Sequence, residues 1–407
     1  MAKSNYSTTV AIDAAHSAFH FYSMHSGNIT HTIKNYGGTL FDTDFFSKFK
    51  LAIKDFVTEN PAEGIRKVSA VIPDSAVLTD VIKIPTMKGF GQTKRTLDVT
   101  LSSLYRNYSE LRLVSSLAMQ NKQYTAYSIA AVQKRIASAV YTACSENKLL
   151  VDTLTYAANA TVSGAVQLNP KLKNASYLLL DLKDTYARFV FVVNGKAVGN
   201  YSLPFGLEFL RKPEVVQEDL LFDHTFAELS VLNARETAKS KKLTVLASDT
   251  DFEEDEAEEF VPTDNEDADN GADDASVTAM TAADGAVKQS TPKLFKKKVR
   301  KLPKFMQREI PESAEGILYE NFRIFEKWAL TLIEGNEKLT ELGKPEFVCV
   351  NIPEDIAPVL DKVNEEAEES GISFTALPHG NADSAVTENL ELYGGLFPKT
   401  IGATGKL

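Results

Sequence analysis

The sequence predicts an α/β protein built from two related halves. A short pattern occurs twice: an apolar run ends on an aspartate, a hydroxyl side chain follows four residues later, and a glycine follows fourteen residues after the aspartate. The two copies are Asp13, Ser17 and Gly27, and Asp181, Thr185 and Gly195. Two copies of one hairpin in a single chain indicate a duplicated fold.

The elements after the first hairpin predict a β-β-β-α-β order. In FFSKFKLAIKDFVTE the phenylalanines and Ile53 recur at helical spacing, and the strand VSAVIPD follows at 68–74. The next block predicts a strand at 77–85, a helix near 92–105, a strand near 125–131 and a helix at about 133–144.

The second hairpin leads into a second run of helices and strands. In SAEGILYENFRIFEKWALTLIEGN the large apolar residues, Trp328 among them, lie on one stripe and predict a helix that faces the core. The strand EFVCVNI, a helix beginning at Pro353, the strand ISFTALP and a final helix ending in ELYGGLF complete the chain.

The net charge of −11 comes from one segment. Between Asp249 and Asp274 there are fourteen acidic residues and no lysine or arginine, so the rest of the chain carries +3. Its high charge and few large apolar residues predict a disordered acidic insertion at about 247–292. Seven basic residues follow between Lys293 and Lys304. They form either a patch for anionic lipid or nucleic acid, or a solvated flank that pairs with the insertion; without stacking aromatic residues the second interpretation is favoured and no nucleic-acid partner is expected.

Composition and motifs exclude several functional classes. With two cysteines and no CxxC spacing, neither a disulfide framework nor a cysteine-rich zinc site is expected, and Cys144 and Cys349 are predicted to be buried thiols. No GxSxG, P-loop or dinucleotide glycine motif occurs. The histidines at 16, 20, 25 and 31 are too irregularly spaced for one strand face, so no metal site is predicted. No apolar stretch is long enough for a membrane span, and MAKSNYSTT lacks the apolar core of a signal peptide, so we expect a cytoplasmic protein.

The twofold hairpin with an aspartate at the end of its first strand resembles the phosphate loops of the actin and sugar-kinase superfamily. Three stretches are similar to the type IV pilus assembly protein PilM family, relatives of FtsA: VSAVIPDSAVLTDVIKIPTM, YSIAAVQKRIASAVYTACSENKLLVDTLTYAANATVSG and LLLDLKDTYARFVFVVNGKAVGNYSLPFGLEFL. FtsA-like proteins usually end in an amphipathic membrane helix, whereas PKTIGATGKL favours the PilM-like interpretation.

This resemblance implies an actin-like (ribonuclease-H-like) fold of two lobes, with duplicated β-hairpin and helix cores, a small inserted subdomain and the acidic insertion. The implied divisions are a first-lobe core at 1–76, the inserted subdomain at 77–150, a first-lobe return at 151–175, a second-lobe core at 176–212, an outer subdomain at 213–344, and a second-lobe core with the final helix at 345–407.

The resemblance also implies a nucleotide pocket, but its glycines are missing. The family expects glycine-containing turns at three loops, because glycine lets the backbone approach phosphate. The equivalent positions here are Asp13, Ala15, Ser17, Asp181, Lys183, Thr185, Pro353 and Glu354. We therefore predict no cofactor and no catalytic residue, and a scaffold with lost ATP binding. Weak Mg-ATP binding, with the two aspartates holding Mg²⁺ and Lys183 pairing with a phosphate, stays open and would make the protein an ATP-dependent switch or filament former.

Proteins similar to PilM bind the extended cytoplasmic tail of a bitopic membrane protein, such as PilN, in a groove beside the inserted subdomain. The resemblance thus implies a PilN-like partner, a secretion ATPase as a further member of the assembly, and a location at the inner face of the membrane through the partner. The predicted walls of the groove are Val71, Ile72, Val81, Ile82, Ile84, Tyr127 and Ile129.

Overall fold

The computed structural model describes the chain in stretches separated by gaps. The described residues are 6–13, 18–25, 28–36, 44–60, 67–105, 107–213, 311, 313–366, 371–379, 386 and 388–397. The predicted insertion at about 247–292, the basic run that follows it, and Ala15 and Ser17 of the first hairpin lie outside these residues.

The first hairpin begins a five-stranded sheet in the space order β3-β2-β1-β4-β8. Its strands are β1 (Tyr6–Asp13), β2 (Ala18–His25), β3 (Asn28–Asn35), β4 (Lys67–Ile72) and β8 (Leu150–Tyr156). Strand β2 is antiparallel to β1 and β3, β4 is parallel to β1, and β8 is parallel to β4. Helix α1 (Phe45–Glu59) covers one face, where Phe56 stacks on Phe21 with ring centroids 4.2 Å apart.

A second five-stranded sheet repeats this arrangement as β11-β10-β9-β12-β13. Its strands are β9 (Tyr177–Leu182), β10 (Ala187–Val193), β11 (Lys196–Leu203), β12 (Phe347–Asn351) and β13 (Ser373–Ala376). The strand directions match those of the first sheet. Helix α6 (Ala314–Gly335) buries Phe322, Phe325 and Trp328, as its apolar stripe predicts. The prediction of two related halves is confirmed.

A three-stranded sheet lies between β4 and β8 in the sequence. Its strands are β5 (Val77–Pro85), β6 (Leu111–Gln120) and β7 (Tyr124–Gln133), in the order β5-β7-β6, and helix α2 (Phe90–Leu104) packs on it. This subdomain contacts the second lobe: the Thr79 hydroxyl donates to Asn200 at 2.9 Å, and Lys338 pairs with Asp80. Strand β6 was not predicted from the sequence.

Two helices pack closely against each other between the lobes. Helix α3 (Lys134–Glu146) leads through β8 into α4 (Ala157–Leu168), which packs against the short α9 (Leu390–Gly395). A Cβ atom added to Gly394 would lie 1.8 Å from the Ala160 carbonyl oxygen, so the two backbones are in direct contact. The other α-helices among the described residues are α5 (Leu207–Leu210), α7 (Glu337–Thr340) and α8 (Val359–Glu366).

Both cysteines are buried in the core, as predicted. Cys144 lies on α3 and Cys349 on β12, and neither forms a disulfide. Burial raises the pKa of each thiol to about 12. At neutral pH both therefore stay protonated, the unreactive form of cysteine.

Candidate functional site

Five charged side chains meet in the interior between the two sheets, and we call them the ionic cluster. They are Asp74, Asp181, Lys183, Arg188 and Glu391, and none is more than 15% exposed. Asp74 follows β4 of the first sheet, the next three residues belong to the β9–β10 hairpin of the second sheet, and Glu391 lies on α9. The cluster therefore joins three separate parts of the fold.

Arg188 lies at the centre of the cluster. Its Nε atom is 2.7 Å from Asp74 Oδ2, a close ion pair whose N–H direction departs from that of a regular hydrogen bond. Its Nη1 atom donates to Thr161 Oγ1 at 2.8 Å and to Asp181 Oδ2 at 3.2 Å. Its Nη2 atom donates to the Tyr186 hydroxyl at 3.2 Å. One guanidinium thus links both sheets to α4.

Lys183 forms the second half of the cluster. Its ammonium donates to Glu391 Oε2 at 2.6 Å and to the Glu388 carbonyl at 2.7 Å, and it lies 3.4 Å from Asp181 Oδ2. A buried ammonium has a large desolvation cost, which these three oxygens offset. The Lys183 ammonium is therefore held by Asp181 of the second sheet and by Glu388 and Glu391 at α9.

The second carboxylate oxygens of Asp181 and Asp74 also accept hydrogen bonds. Asn351 Nδ2 donates to Asp181 Oδ1 at 2.7 Å, and the Asn351 side-chain oxygen is 3.0 Å from His379 Nε2. The Ala158 amide donates to Asp74 Oδ1 at 2.8 Å, at the N-terminus of α4 where backbone amides favour an anion. With three carboxylates and two cations, the cluster has a formal charge of −1, and each carboxylate lies within 4 Å of at least one of the two cations.

Burial has the largest effect on the pKa values of the cluster. It raises the pKa of Asp74, against the opposing effects of Arg188 and the Ala158 amide. Burial alone would raise the pKa of Glu391, but Lys183 and Arg188 hold it below its usual value. Despite burial, Asp181 and Glu391 keep the pKa of Lys183 above its usual range. Both cations are thus already matched by carboxylates, which leaves little positive potential for an added polyanion.

The structure brings together only part of the predicted nucleotide pocket. Asp181 and Lys183 are in the cluster, whereas Thr185 is exposed. Asp13 ends β1, and its side chain lies outside the described residues, as do Ala15 and Ser17. Sequence reasoning missed Asp74, Arg188 and Glu391, although a charged residue inside the apolar strand ARFVFVV was a usable signal for Arg188.

The loop after β12 differs from the prediction. The sequence predicted a helix from Pro353, with Glu354 in its first turn, but residues 354–358 form turns and α8 begins at Val359. Pro358 has no amide proton and disfavours helical backbone in the residue before it, which explains the late start. Pro353 is half-buried and Glu354 is exposed, so neither side chain joins the cluster.

The predicted groove residues form the cores of two subdomains. Val71 and Ile72 are buried in the first lobe, and Val81 is buried where the inserted subdomain meets the second lobe. The other four lie among the residues that pack against α2: Ile82, Ile84 and Ile129 are buried and Tyr127 is half-buried. Their side chains support the strands, and peptide binding beside these strands stays a prediction.

Two of the four histidines of the first hairpin are neighbours across a strand pair. His20 on β2 and His31 on β3 have Nδ1 and Nε2 atoms 3.1 Å apart, and their rings are stacked. In the β2–β3 register Tyr22 is opposite His31, so His20 is a diagonal neighbour on the same face. Among the described residues there is no group of three or more potential metal-ligating side chains.

The histidine pair predicts a loss of stability in acid. Burial, with a smaller effect of His20, lowers the pKa of His31. Below about pH 6.5 the unfolded chain binds a proton that the folded His31 rejects, so the free energy of unfolding should fall as the pH decreases from that value. Urea unfolding at pH 7.5 and pH 5.5, about one unit to either side, should show a smaller decrease for His31→Gln than for the wild type. A Gly91→Ala control, which changes no titratable group, should keep the wild-type decrease; an unchanged decrease in His31→Gln would contradict this assignment.

The duplicated sheets, the inserted three-stranded sheet and the site between the halves define a two-lobed actin-like fold. No protein-family model matches the sequence, and no curated protein is significantly similar to it. The chain is similar to the solved structure of a PilM-PilN type IV pilus biogenesis complex, at 12% identity and a TM-score of 0.52 over 97% of this chain and 98% of that chain. The fold is therefore PilM-like.

Two other solved structures match the chain with lower TM-scores. Ethanolamine utilization protein EutJ from Carboxydothermus hydrogenoformans is 10% identical, with a TM-score of 0.35 over 96% of this chain and 90% of that chain. The cytoplasmic domain of EpsL, an inner-membrane component of the type II secretion system of Vibrio cholerae, is 7% identical, with a TM-score of 0.33 over 49% and 71%. No helix among the described residues has the length and apolar character needed to cross a bilayer.

Proposed function

We propose that this protein is a cytoplasmic scaffold of a type IV pilus or related secretion machine, with a role similar to that of PilM. The proposal rests on one observation: the likeness to the PilM-PilN structure extends over 97% of this chain and 98% of that one. Such a scaffold would bind the cytoplasmic tail of a bitopic, PilN-like membrane protein and so lie at the inner face of the membrane.

We further propose that the scaffold works without ATP. In an actin-like fold, nucleotide phosphates would lie beside the β9–β10 hairpin, and here Lys183 and Arg188 of that hairpin are paired with carboxylates. A phosphate would have to displace Glu391 or Asp181 from these cations and leave a buried carboxylate unpaired, at a cost of several kcal/mol. This supports the loss of nucleotide binding.

Thermal unfolding with and without Mg·ATP tests this second proposal. A ligand present at about a hundred times its dissociation constant stabilises a protein by roughly 2.7 kcal/mol and raises its midpoint. We expect the midpoint in millimolar Mg·ATP to equal that in magnesium chloride alone. A rise that Asp13→Ala abolishes would show a working pocket and would favour an ATP-dependent switch.

Partner binding is tested with a synthetic peptide of the cytoplasmic tail of a PilN-like bitopic membrane protein. Titration calorimetry with the full chain should show binding. Leu78 on β5 and Leu117 on β6 are 47% and 43% exposed, and only Leu78 lies on the strands of the predicted groove. We expect Leu78→Asp to weaken binding about tenfold, since it puts a charge against an apolar contact, and Leu117→Asp to leave it unchanged. No heat with the wild-type chain, or equal effects of both variants, would refute this site.

A further inference from the structure

The inserted subdomain carries an excess of positive charge. Residues 77–150 contain ten lysines and arginines and four aspartates and glutamates, a formal charge of +6 in a chain whose net charge is −11. In the described part of the subdomain most of these cations are exposed. Charge of one sign that is concentrated on one part of a fold attracts ligands of opposite charge.

Helix α2 carries part of this charge along one side, which we call the outer stripe. The opposite side of the helix buries Leu97 and Leu101 against the three-stranded sheet. Residues three and four positions apart share a face of a helix. The outer stripe consists of six exposed residues with this spacing: Gly91, Lys94, Arg95, Asp98, Val99 and Ser102.

An open cleft of about 430 Å³ lies along the outer stripe. It is lined by the six residues of the stripe and by Tyr108, whose hydroxyl donates a hydrogen bond to the Asp98 carboxylate. The acidic member of the lining is thus already engaged by a protein group. The two cations of the lining, Lys94 and Arg95, determine the charge that the cleft presents to a ligand.

Two further cations extend the positive surface past the N-terminal end of α2. Lys88 precedes the helix, and Lys122 lies in the connection between β6 and β7. The Thr86 amide donates to the Gln123 carbonyl at 3.1 Å, which holds that connection beside the segment carrying Lys88. We call the four exposed cations the basic face: Lys88, Lys94, Arg95 and Lys122.

The fold supplies no counter-charge to the basic face. None of its four side chains forms an ion pair or a hydrogen bond with another described residue. The first turn of α2 contains no acidic residue and its cap, Gly89, has no side-chain acceptor, so the helix amides add positive potential at the same end. The basic face therefore favours an anionic ligand from outside the fold.

An extended anionic surface fits the basic face better than a compact anion. Lys94 and Arg95 are both exposed, so the cleft does not enclose a small ion between buried cations. The face extends from the connection between β6 and β7 to the second turn of α2, and it carries four separate charges. A ligand with many charges spread over a surface can contact all four at once.

The apolar member of the outer stripe favours lipid among such ligands. Val99 is 61% exposed and lies one turn after Arg95 on the same side of the helix. Clusters of lysine and arginine on an amphipathic helix are typical of surfaces that bind anionic lipid, and an apolar side chain beside them inserts among the headgroups. Nucleic acid, which is held by cations and stacking aromatic rings, gives Val99 no role.

We propose that the basic face docks on an anionic lipid bilayer. The choice of ligand rests on the proposed function in one respect, since a scaffold at the inner face of the membrane lies within reach of lipid. The proposal adds a direct contact with lipid to the contact with the membrane partner. One weak surface contact gives only reversible binding, whereas two contacts with the same membrane act together and strengthen each other.

Cosedimentation of the full chain with lipid vesicles tests this proposal. The probes are vesicles of phosphatidylglycerol and phosphatidylcholine in equal parts and vesicles of phosphatidylcholine alone, all without membrane protein. We expect binding to the anionic vesicles only, and its loss at about 1 M salt, where the screening length falls to about 3 Å. Because no partner is present, this result is independent of the tail-peptide titration that tests the proposed function.

Paired substitutions identify the surface. Each cation at an anionic membrane surface strengthens binding about fivefold. Lys94→Gln with Arg95→Gln should therefore weaken binding to the anionic vesicles roughly 25-fold. The matched control, Lys54→Gln with Lys344→Gln, removes two exposed cations outside the inserted subdomain and should keep the wild-type binding. Circular dichroism of each variant shows whether it is folded.

Two further variants keep the test independent of the stability of α2. Lys88→Gln with Lys122→Gln changes residues outside the helix and should weaken binding by a similar factor. Insertion of one CH₂ group into a bilayer strengthens binding about fourfold, so Val99→Ser should weaken binding by about that factor or more. Its control is Ile33→Ser, at a 54% exposed position of β3, which should bind as the wild type does.

Three results would overturn the proposal. The first is equal binding to the two kinds of vesicle. The second is wild-type binding in the folded variants of the basic face. The third is no binding to anionic vesicles together with binding of duplex DNA or polyglutamate that the same variants abolish, which would assign the face to another polyanion. Vesicle binding without binding of the tail peptide would refute the proposed function and leave the lipid contact in place.

Discussion

Replacement of Arg188 by leucine should lower the free energy of unfolding by about 3–5 kcal/mol, because it leaves Asp74 buried without a cation and leaves Asp181 with Lys183 alone. Thr161 on α4 also loses the hydrogen bond that the Arg188 guanidinium donates to it. Urea unfolding at neutral pH, followed by circular dichroism, measures the change.

Arg211→Leu is the matched control for Arg188→Leu. Arg211 is 52% exposed and lies 3.7 Å from Asp355, and exposed pairs of this kind contribute about 0–1 kcal/mol. The double variant Asp74→Asn with Arg188→Leu should be less destabilised than the sum of the single variants, because it removes the carboxylate that Arg188→Leu leaves unpaired. Equal losses for Arg188→Leu and Arg211→Leu would show that the cluster does not join the lobes as described.

Replacement of Gly394 by alanine should have an effect of similar size. The added Cβ would lie 1.8 Å from the Ala160 carbonyl oxygen, and backbone on both sides leaves no flexible side chain to move. Overpacking usually costs about 1–3 kcal/mol and more where backbone must shift. Displacement of α9 would also separate Glu391 from Lys183, so we expect a loss of about 3 kcal/mol or more.

Hydrogen exchange and urea unfolding together test the Gly394 prediction. The amides of α9 and of the start of α4 should exchange faster in Gly394→Ala than in the wild type, since the helix contact protects them. Gly91→Ala is the control, because an added Cβ at Gly91 meets no atom within 4 Å and alanine is favoured in a helix. Stability and exchange in Gly394→Ala equal to those of the Gly91→Ala control would disprove the close contact.

The repeated architecture could be predicted because its signal is local. The spacing from Asp13 and from Asp181 places an aspartate at a strand end and a turn at a fixed distance, and both sheets follow from it. Strand β6 was missed because LRLVSSLAMQ has no clear alternation of apolar and polar residues. At the edge of its sheet, that strand is only partly buried on either face.

The contents of the site depend on contacts that one sequence does not show. Asp74 and Arg188 are far apart in the chain, and their pairing depends on how the two lobes meet. The contact between His20 and His31 depends on the register across the hairpin, whereas spacing along the chain was the available measure. The sequence showed that the loops lack glycine, but it did not show which side chains occupy the interior between the two sheets.

The ionic cluster also has a consequence for when such a molecule binds and releases its partners. A bound nucleotide can be hydrolysed and released, and these steps set the duration and the order of the binding events in an assembly. A buried pair such as Arg188 with Asp74 persists for as long as the fold does. Under the proposed function, a scaffold joined in this way has no nucleotide cycle of its own, and the order and duration of its associations are set from outside, by the supply of its partners.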